Sequence, residues 1–185
     1  MVDEDLALVV RALTGDLAAY GALVTRYQFD ALRVAAAIAG PAHAEDAAQD
    51  AFVRAFTALR RFDQDRPFRP WLMTIVANTA RNHRRSSRRW ERSTVDEEAL
   101  RHCVTPLAAT PEEIVVQRQG DRQLFAALDR LPRAQRDVVA CRYLMDLSED
   151  ETANVLKIPR GTVKSRLARG LTRLARSIGQ ESSDD

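Results

Sequence analysis

LSEDETANVLKIPRGTVKSRLARGLTRLAR, residues Leu147 to Arg176, reads as two short helices and a tight turn, with cations gathered on one side of the second helix. Ser148 and Glu151 have the spacing of a capping box: the hydroxyl accepts from a free amide of the first turn, and the Glu carboxylate accepts from the Ser148 amide. The helix that starts there is expected to run to Leu156. Lys157-Ile158-Pro159 breaks the pattern, and Pro159 suits the beginning of a second helix, where a missing amide hydrogen costs nothing and φ is already helical. Val163, Leu167, Leu171 and Leu174 then recur at spacings of four, four and three, a stripe expected to pack inward. Turning the helix by about 100° per residue puts Gly161, Ser165, Ala168, Arg169, Thr172 and Arg176 opposite that stripe, with Lys164 and Arg166 on its flanks.

From Lys157 to Arg176 the chain carries seven Lys or Arg and no Asp or Glu. A helix that is merely solvated mixes its signs, so a polyanionic partner is the more economical explanation. Small side chains let such a helix approach a major groove closely, Ser and Arg reach base edges, and the other cations neutralise phosphates. The candidates for duplex contact are Arg160, Thr162, Lys164, Ser165, Arg166 and Arg169.

Periodicity elsewhere is helical, and no stretch reads as a strand, so the expected fold class is all-α. The 185 residues, 45% of them apolar, suit one domain or two small ones. A net charge of only +2 means that affinity for nucleic acid must come from where the charges sit. Cys103 and Cys141 supply neither a disulfide framework nor a paired-cysteine zinc site, and Cys141, among Val138, Val139 and Leu144, reads as core. His43 reads as an exposed loop residue, and the adjacent His102-Cys103 as incidental; no metal and no cofactor are expected. No apolar run approaches the ~20 residues of a membrane span, and the acidic start MVDEDLALVV lacks a basic leader. The reading is a reduced, cytoplasmic protein without membrane insertion. An enzyme is disfavoured, because no nucleophile and base pair, phosphate loop or metal cluster is apparent.

In chain order, a helical pattern runs through Leu6, Val9, Val10 and Leu13, halts at Gly15-Asp16, and resumes through Leu17, Tyr20, Leu23, Val24 and Tyr27. A third segment over Leu32 to Ile38 stops at Gly40-Pro41. The next helix, Ala44 to Arg61, divides cleanly: Ala48, Ala51, Phe52, Ala55, Phe56 and Leu59 form an inward face, and Asp46, Gln49, Asp50, Val53, Thr57 and Arg60 an outward one. That outward strip suits either plain solvation or docking on a protein. A helix from Pro70 to Arg89 turns Leu72, Met73, Val76 and Ala80 inward, while Trp71, Asn78, Asn82, Arg85 and Arg89 share another side. Asn offers donors and acceptors to a base edge, an aromatic ring offers a stacking platform, and six Arg between Arg81 and Arg92 can hold phosphates, a set suited to single strands. For Trp71, a place in the core is the alternative. Ser93 to Gln117, with Pro106 and Pro111, reads as a flexible linker, after which Leu124, Leu128 and Leu131 restore a helical pattern up to Pro132. The tail from Gln180 reads as frayed.

DAAQDAFVRAFTALRRF, RPWLMTIVANTARNHRR and LPRAQRDVVACRYLMDLSEDETANVLKIPRGTVKSRLAR, in this order, resemble the extracytoplasmic-function class of sigma-70 family RNA polymerase sigma factors. The resemblance implies two small helical domains: region 2 over 1–92 and a region 4 helix-turn-helix over 118–185, joined by a linker over 93–117. It implies that region 2 binds the β′ clamp helices of core RNA polymerase and captures the melted −10 element. Region 4 would bind the β flap and read the −35 element. By that resemblance Asp46, Gln49, Asp50 and Val53 dock on polymerase. Trp71, Asn78, Asn82, Arg85 and Arg89 face the −10 strand, with Asn78 at an unstacked base, and Lys164, Ser165 and Arg169 meet the −35 duplex. Core polymerase and promoter DNA are the implied partners, and an anti-sigma protein is left open as a third. The implied location is the cytoplasm, on the nucleoid when polymerase is bound. Gly170-Leu171 departs from the Ala and cation common after the recognition-helix Arg, and is expected to loosen the helix by up to ~1 kcal/mol. The alternative is a stand-alone helix-turn-helix regulator, which binds duplex DNA by itself as a dimer and has no need of the Asn, Trp and Arg helix.

Overall fold

The structure, a computed structural model, describes residues 2–90 and 123–181, with side chains over 4–85 and 123–177. Every regular element among them is helical: α1 (Val2–Leu13), α2 (Leu17–Ala39), α3 (Ala44–Ala58), α4 (Phe68–Trp90), α5 (described over 123–129), α6 (Arg133–Tyr143), α7 (Glu149–Leu156) and α8 (Arg160–Glu181). Short 3-10 turns at Pro41–His43 and Leu59–Arg61 flank α3. The linker expected over 93–117, with His102 and Cys103, lies outside the described residues, as do the tail residues from 182 onward.

Local chemistry sets the helix ends. Gly15, at φ 99°, takes the turn after α1, and Asp16 caps α2 by accepting from the Ala19 amide at 3.1 Å while holding Arg11 at 2.7 Å. Gly40, at φ 94°, ends α2. Between these stops α2 runs for 23 residues without a break, so the segment expected to begin at Leu32 is its second half. No Gly or Pro intervenes between Tyr27 and Leu32, and the six successive residues Val34 to Ala39 are buried on every side of the helix.

Helices α2, α3 and α4 form a bundle whose centre is lined with alanine: Ala31, Ala35, Ala44, Ala47, Ala51, Ala55, Ala77 and Ala80 are each fully enclosed. Side chains this small let the helix backbones come close. Leu72, Met73 and Val76 fill the remaining space, as the periodicity of α4 predicts. Helix α1 lies along α2 and is fastened by the buried Asp5 carboxylate, which accepts from Arg26 at 2.5 Å and from the Tyr27 hydroxyl. Burial first, and then the Asp5 hydrogen bond, push the Tyr27 pKa up.

Three apolar positions of the expected helical pattern in the first half lie at the surface. Phe56 is 43% exposed beside Tyr20, with the two ring centroids 4.8 Å apart. Val10 and Leu17 are 44% and 69% exposed, while Val9, Ala12 and Ala19 are buried.

In the second half α6 packs on α8, and α7 on both. Cys141 is fully buried, and desolvation pushes its thiol up to about 12. Buried Arg136 joins α5 to α6 through the Asp129 carboxylate, at 2.7 Å, and the carbonyl oxygens of Asp129 and Leu131. The inward stripe of α8 is Val163, Leu167, Gly170 and Leu174 instead of the expected set with Leu171, which is 37% exposed. A Cβ at Gly170 would lie 3.0 Å from Val139 Cγ2 and 3.5 Å from Gln135 Cβ, so the departure from Ala at this position is set by the closeness of α6.

Gly170→Leu should therefore destabilise the fold by ~1–3 kcal/mol through overpacking. Gly21→Ala, in the second turn of α2 with nothing within 4 Å of the added carbon, should stabilise it by ~0.5–1 kcal/mol. Urea unfolding of the two variants beside the parent checks both signs.

Candidate nucleic-acid interface

The capping box forms as its spacing predicts. Ser148 Oγ accepts from the Glu151 amide at 3.2 Å, and the Glu151 carboxylate from the Ser148 amide at 2.8 Å. Hydrogen bonding to the Ser148 hydroxyl first, and to the Ser148 amide next, holds the Glu151 carboxyl below the usual carboxylate range. Lys157, in the left-handed region at φ 53°, ends α7, and Pro159 accepts from the Thr162 and Val163 amides at the first turn of α8.

With its inward stripe fixed on α6, α8 turns Gly161, Lys164, Ser165, Ala168, Arg169, Thr172 and Arg176 to the surface. Thr162 and Arg166 are half-buried at the edges of that face. Arg169 Nε donates to the Ser165 carbonyl at 3.0 Å and its Nη2 to Ser165 Oγ at 3.3 Å, which lays the guanidinium along the helix. Arg160 is engaged by the first turn of α7: its Nε lies 2.9 Å from Glu149 Oε2 and its Nη1 3.3 Å from Asp150 Oδ2. Lys164 Nζ lies 3.8 Å from the same Glu149 oxygen. The hydrogen bond from Arg160, with the Lys164 charge beside it, keeps the Glu149 carboxyl below its ordinary range. These carboxylates lie outside the basic run, and no helical period links them to it. The acidic start of α7 and the basic start of α8 meet only once the turn brings them side by side.

On α4 the sequence-derived stripe divides. Asn78, Asn82 and Arg85 are exposed and line a cleft of about 590 Å³ together with Arg81, and with Arg133, Asp137, Asn154, Lys157 and Arg166 of the second half. Trp71, although one face of the helix carries it with Asn78, packs its ring 5.0 Å from Phe62 and 5.4 Å from Phe68. The core alternative thus holds for much of this side chain, and the remaining edge opens on a separate groove with Arg66, Pro70 and Leu147. The arginine run divides as well. Arg81 donates to Asn78 Oδ1 at 2.9 Å and pairs with Asp137 at 3.2 Å, and Arg84 donates to the Ile38 carbonyl at 2.8 Å with Asp129 at 3.5 Å. The Arg89 side chain lies outside the described residues.

On α3, Asp46, Gln49, Asp50 and Val53 form an exposed strip, with Val53 67% exposed. Asp50 is held there, its Oδ2 2.8 Å from His83 Nε2 on α4. Phe56, one turn beyond Val53 and open to solvent, extends the strip with an aromatic edge that the inward assignment had hidden. His43 sits half-buried in the 3-10 turn before α3, instead of in an exposed loop.

Two helical units, one carrying an Asn and Arg face and the other a capped helix-turn-helix with a basic outer face, match known proteins in the same order. Residues 23–90 match the model of Sigma-70 region 2, and residues 127–176 that of Sigma-70, region 4. The RNA polymerase sigma-H factor of Pseudomonas aeruginosa is 32% identical over 174 residues, 90% of each chain. The chain belongs to the extracytoplasmic-function sigma factors of the sigma-70 family. The ECF RNA polymerase sigma-E factor of Escherichia coli K12 is 32% identical over 170 residues, 89% of each chain. Among solved structures, CnrH in complex with the cytosolic domain of CnrY superposes with a TM-score of 0.67 at 26% identity, covering 96% of this chain and 99% of that one. The sigma factor RpoE of Bartonella quintana, solved with the anti-sigma factor NepR, shares the fold at a TM-score of 0.60 and 19% identity, over 91% of this chain and 98% of that one. Among the described residues no helix is long and apolar enough to cross a membrane.

Glu149→Gln should free Lys164 for phosphate and leave Arg160 held by Asp150 alone. Duplex DNA affinity should rise, and the slope of log K against log salt should steepen by ~0.9 for each phosphate gained. Fluorescence anisotropy over a salt series measures both; an unchanged slope would show that neither cation reaches the backbone.

Proposed function

We propose that the chain is an alternative sigma factor working through two DNA surfaces. Residues 1–92 serve as region 2, docking on the β′ clamp helices and holding the melted −10 strand, and 118–185 serve as region 4, docking on the β flap and reading the −35 duplex. The observation that carries this reading is α8, whose small and cationic face lies outward while Val163, Gly170 and Leu174 seal the opposite side on α6. A helix anchored along one side can enter a major groove with the other. Lys164, Ser165 and Arg169 face base edges in this scheme, with Arg160, Thr162 and Arg166 at the phosphates.

On α4, Asn78 reads an unstacked base, and Asn82, Arg85 and Arg89 hold the strand. Trp71 is assigned a smaller part, an edge contact beside the aromatic cluster of Phe62 and Phe68. Asp46, Gln49, Asp50 and Val53, extended by Phe56, make the polymerase contact, a mixed apolar and polar strip of the kind found in interface cores. Initiation then divides into recruitment by α3, placement by α8 and strand capture by α4. The protein has no catalytic task in this sequence of events; polymerase forms the phosphodiester bonds. It works in the cytoplasm and joins the nucleoid with polymerase, and an anti-sigma protein is a further partner consistent with the company of its structural relatives.

Asp46→Arg is expected to weaken association with core polymerase by about 1 kcal/mol or more. Asp46 is exposed at the start of α3, so circular dichroism should not change. Retention of polymerase in a pull-down at the parent level would return the strip to plain solvation. The two DNA surfaces separate on templates. Arg169→Ala should weaken upstream duplex binding by ~1–3 kcal/mol, whereas Asn78→Ala should lower transcription even from a promoter supplied with a preformed −10 bubble. Complete rescue of Asn78→Ala by the bubble would mean that the side chain assists melting and reads no base.

A further inference from the structure

The exposed strip of α3 holds one polar group that is fixed among others that are not. Asp46 and Gln49 project from the helix without a side-chain hydrogen bond among the described residues, and Val53 and Phe56 are apolar and open to solvent. Asp50 differs from all of them. Its Oδ2 lies 2.8 Å from Nε2 of His83, which comes from α4, 33 residues further along the chain. The Asp50 side chain is 54% exposed and that of His83 25% exposed, so the contact sits at the surface edge of the packing between α3 and α4.

A pair so placed adds little to stability, because water competes for both groups and holding two side chains together costs rotamer freedom. Ala47, Ala51 and Ala55 of α3 and Ala77 and Ala80 of α4, buried beneath it, already join the two helices. What the contact does fix is the direction of one carboxylate. An ionised carboxylate only accepts, so Nε2 is the donor, and the imidazole ring aims it at Oδ2. The two oxygens of such a group offer about four acceptor sites, of which His83 takes one and leaves the rest to a donor from outside.

We infer that His83 is a positioning residue of the polymerase-docking surface: it orders the Asp50 carboxylate before polymerase arrives, ready for a Lys or Arg side chain of that partner. The inference rests on the proposed docking role of the α3 strip. A side chain that is already ordered loses less conformational freedom on binding, and the difference appears directly as affinity. Val53, one turn beyond Asp50 on the same face, supplies the apolar contact that keeps water from the charge pair so formed. Helix α4 then has two tasks on different sides. Asn78, Asn82 and Arg85 line the cleft, while His83 leans on α3 and supports the docking carboxylate.

The test measures association of the full chain with core RNA polymerase by surface plasmon resonance, with urea unfolding of each variant alongside. His83→Leu keeps the bulk beside α3 and removes the donor; association should weaken about fivefold, the order expected for the lost ordering of one side chain. His83→Asn, polar but too short to reach, should behave in the same way. His83→Gln, whose amide nitrogen can reach the same oxygen, should recover most of the loss. In an Asp50→Ala background His83→Leu should cause no further loss, because the group it positions is gone. Parental affinity of both His83→Leu and His83→Asn overturns the proposal and leaves the pair a staple between helices. Tighter association also overturns it, since His83 would then hold the carboxylate away from the partner. Equal losses for His83→Leu and His83→Gln, or a further loss on top of Asp50→Ala, overturn it as well. If Asp50→Ala itself associates like the parent, the docking role of the strip fails at Asp50 and the inference with it; if Asp50→Ala weakens association and the His83 variants do not, only the positioning role is lost.

Discussion

The close approach of α2, α3 and α4 through alanine is the constraint on which the first half depends. With Ala35, Ala47, Ala51 and Ala77 at the contact, little side-chain volume separates the helices, so their azimuths are fixed within a narrow range. Fixing the azimuth of α3 turns Asp46, Gln49 and Val53 outward, and fixing that of α4 turns Asn78 and Asn82 to the surface. The surfaces proposed for recognition are thus consequences of the packing beneath them. Gly170 plays the same part in the second half, where the absence of a Cβ brings α8 onto Val139 and directs Ser165 and Arg169 away.

The arginines of α4 show how one residue type serves opposite ends. Arg84 reaches back to a main-chain carbonyl of α2 and so reinforces the bundle, whereas Arg81 reaches across to Asp137 and joins the two halves. Arg69, at the start of the helix, does both through Asp30 and the carbonyl oxygens after α6. A run of cations that looks uniform in sequence therefore divides by position along the helix into structural anchors, an interdomain pair and surface charge.

Much of this was legible in the chain because it rests on local rules. Ser148 and Glu151 mark a helix start without any knowledge of the fold, Gly40 marks a stop, and the helical period gives the buried side of α4. The losses occur where the partner decides. At the seam of α8, hydrophobic spacing favours Leu171, yet Val139 leaves room only for Gly170. Trp71 shares a face with Asn78, but Phe62 from before α4 and Phe68 from its first turn pack onto it. Phe56 stands at the surface beside Tyr20, and Asp137 finds Arg81 from 56 residues away. Pairings of that kind have no period and no local signature. Domain order, by contrast, was recoverable from the resemblance of three ordered motifs, and the family matches fall on the same segments.

In the proposed scheme two modest DNA surfaces become one specific reader only when polymerase sets their separation, since linkage converts the second contact into an intramolecular one. Nuclease protection of promoter duplex, with the protein alone and with core polymerase added, tests this most directly. The protein alone should give little sequence-specific protection, and with polymerase an upstream and a downstream segment should be protected together. Tight, specific protection of a palindrome by the protein alone, bound as a dimer, would contradict it.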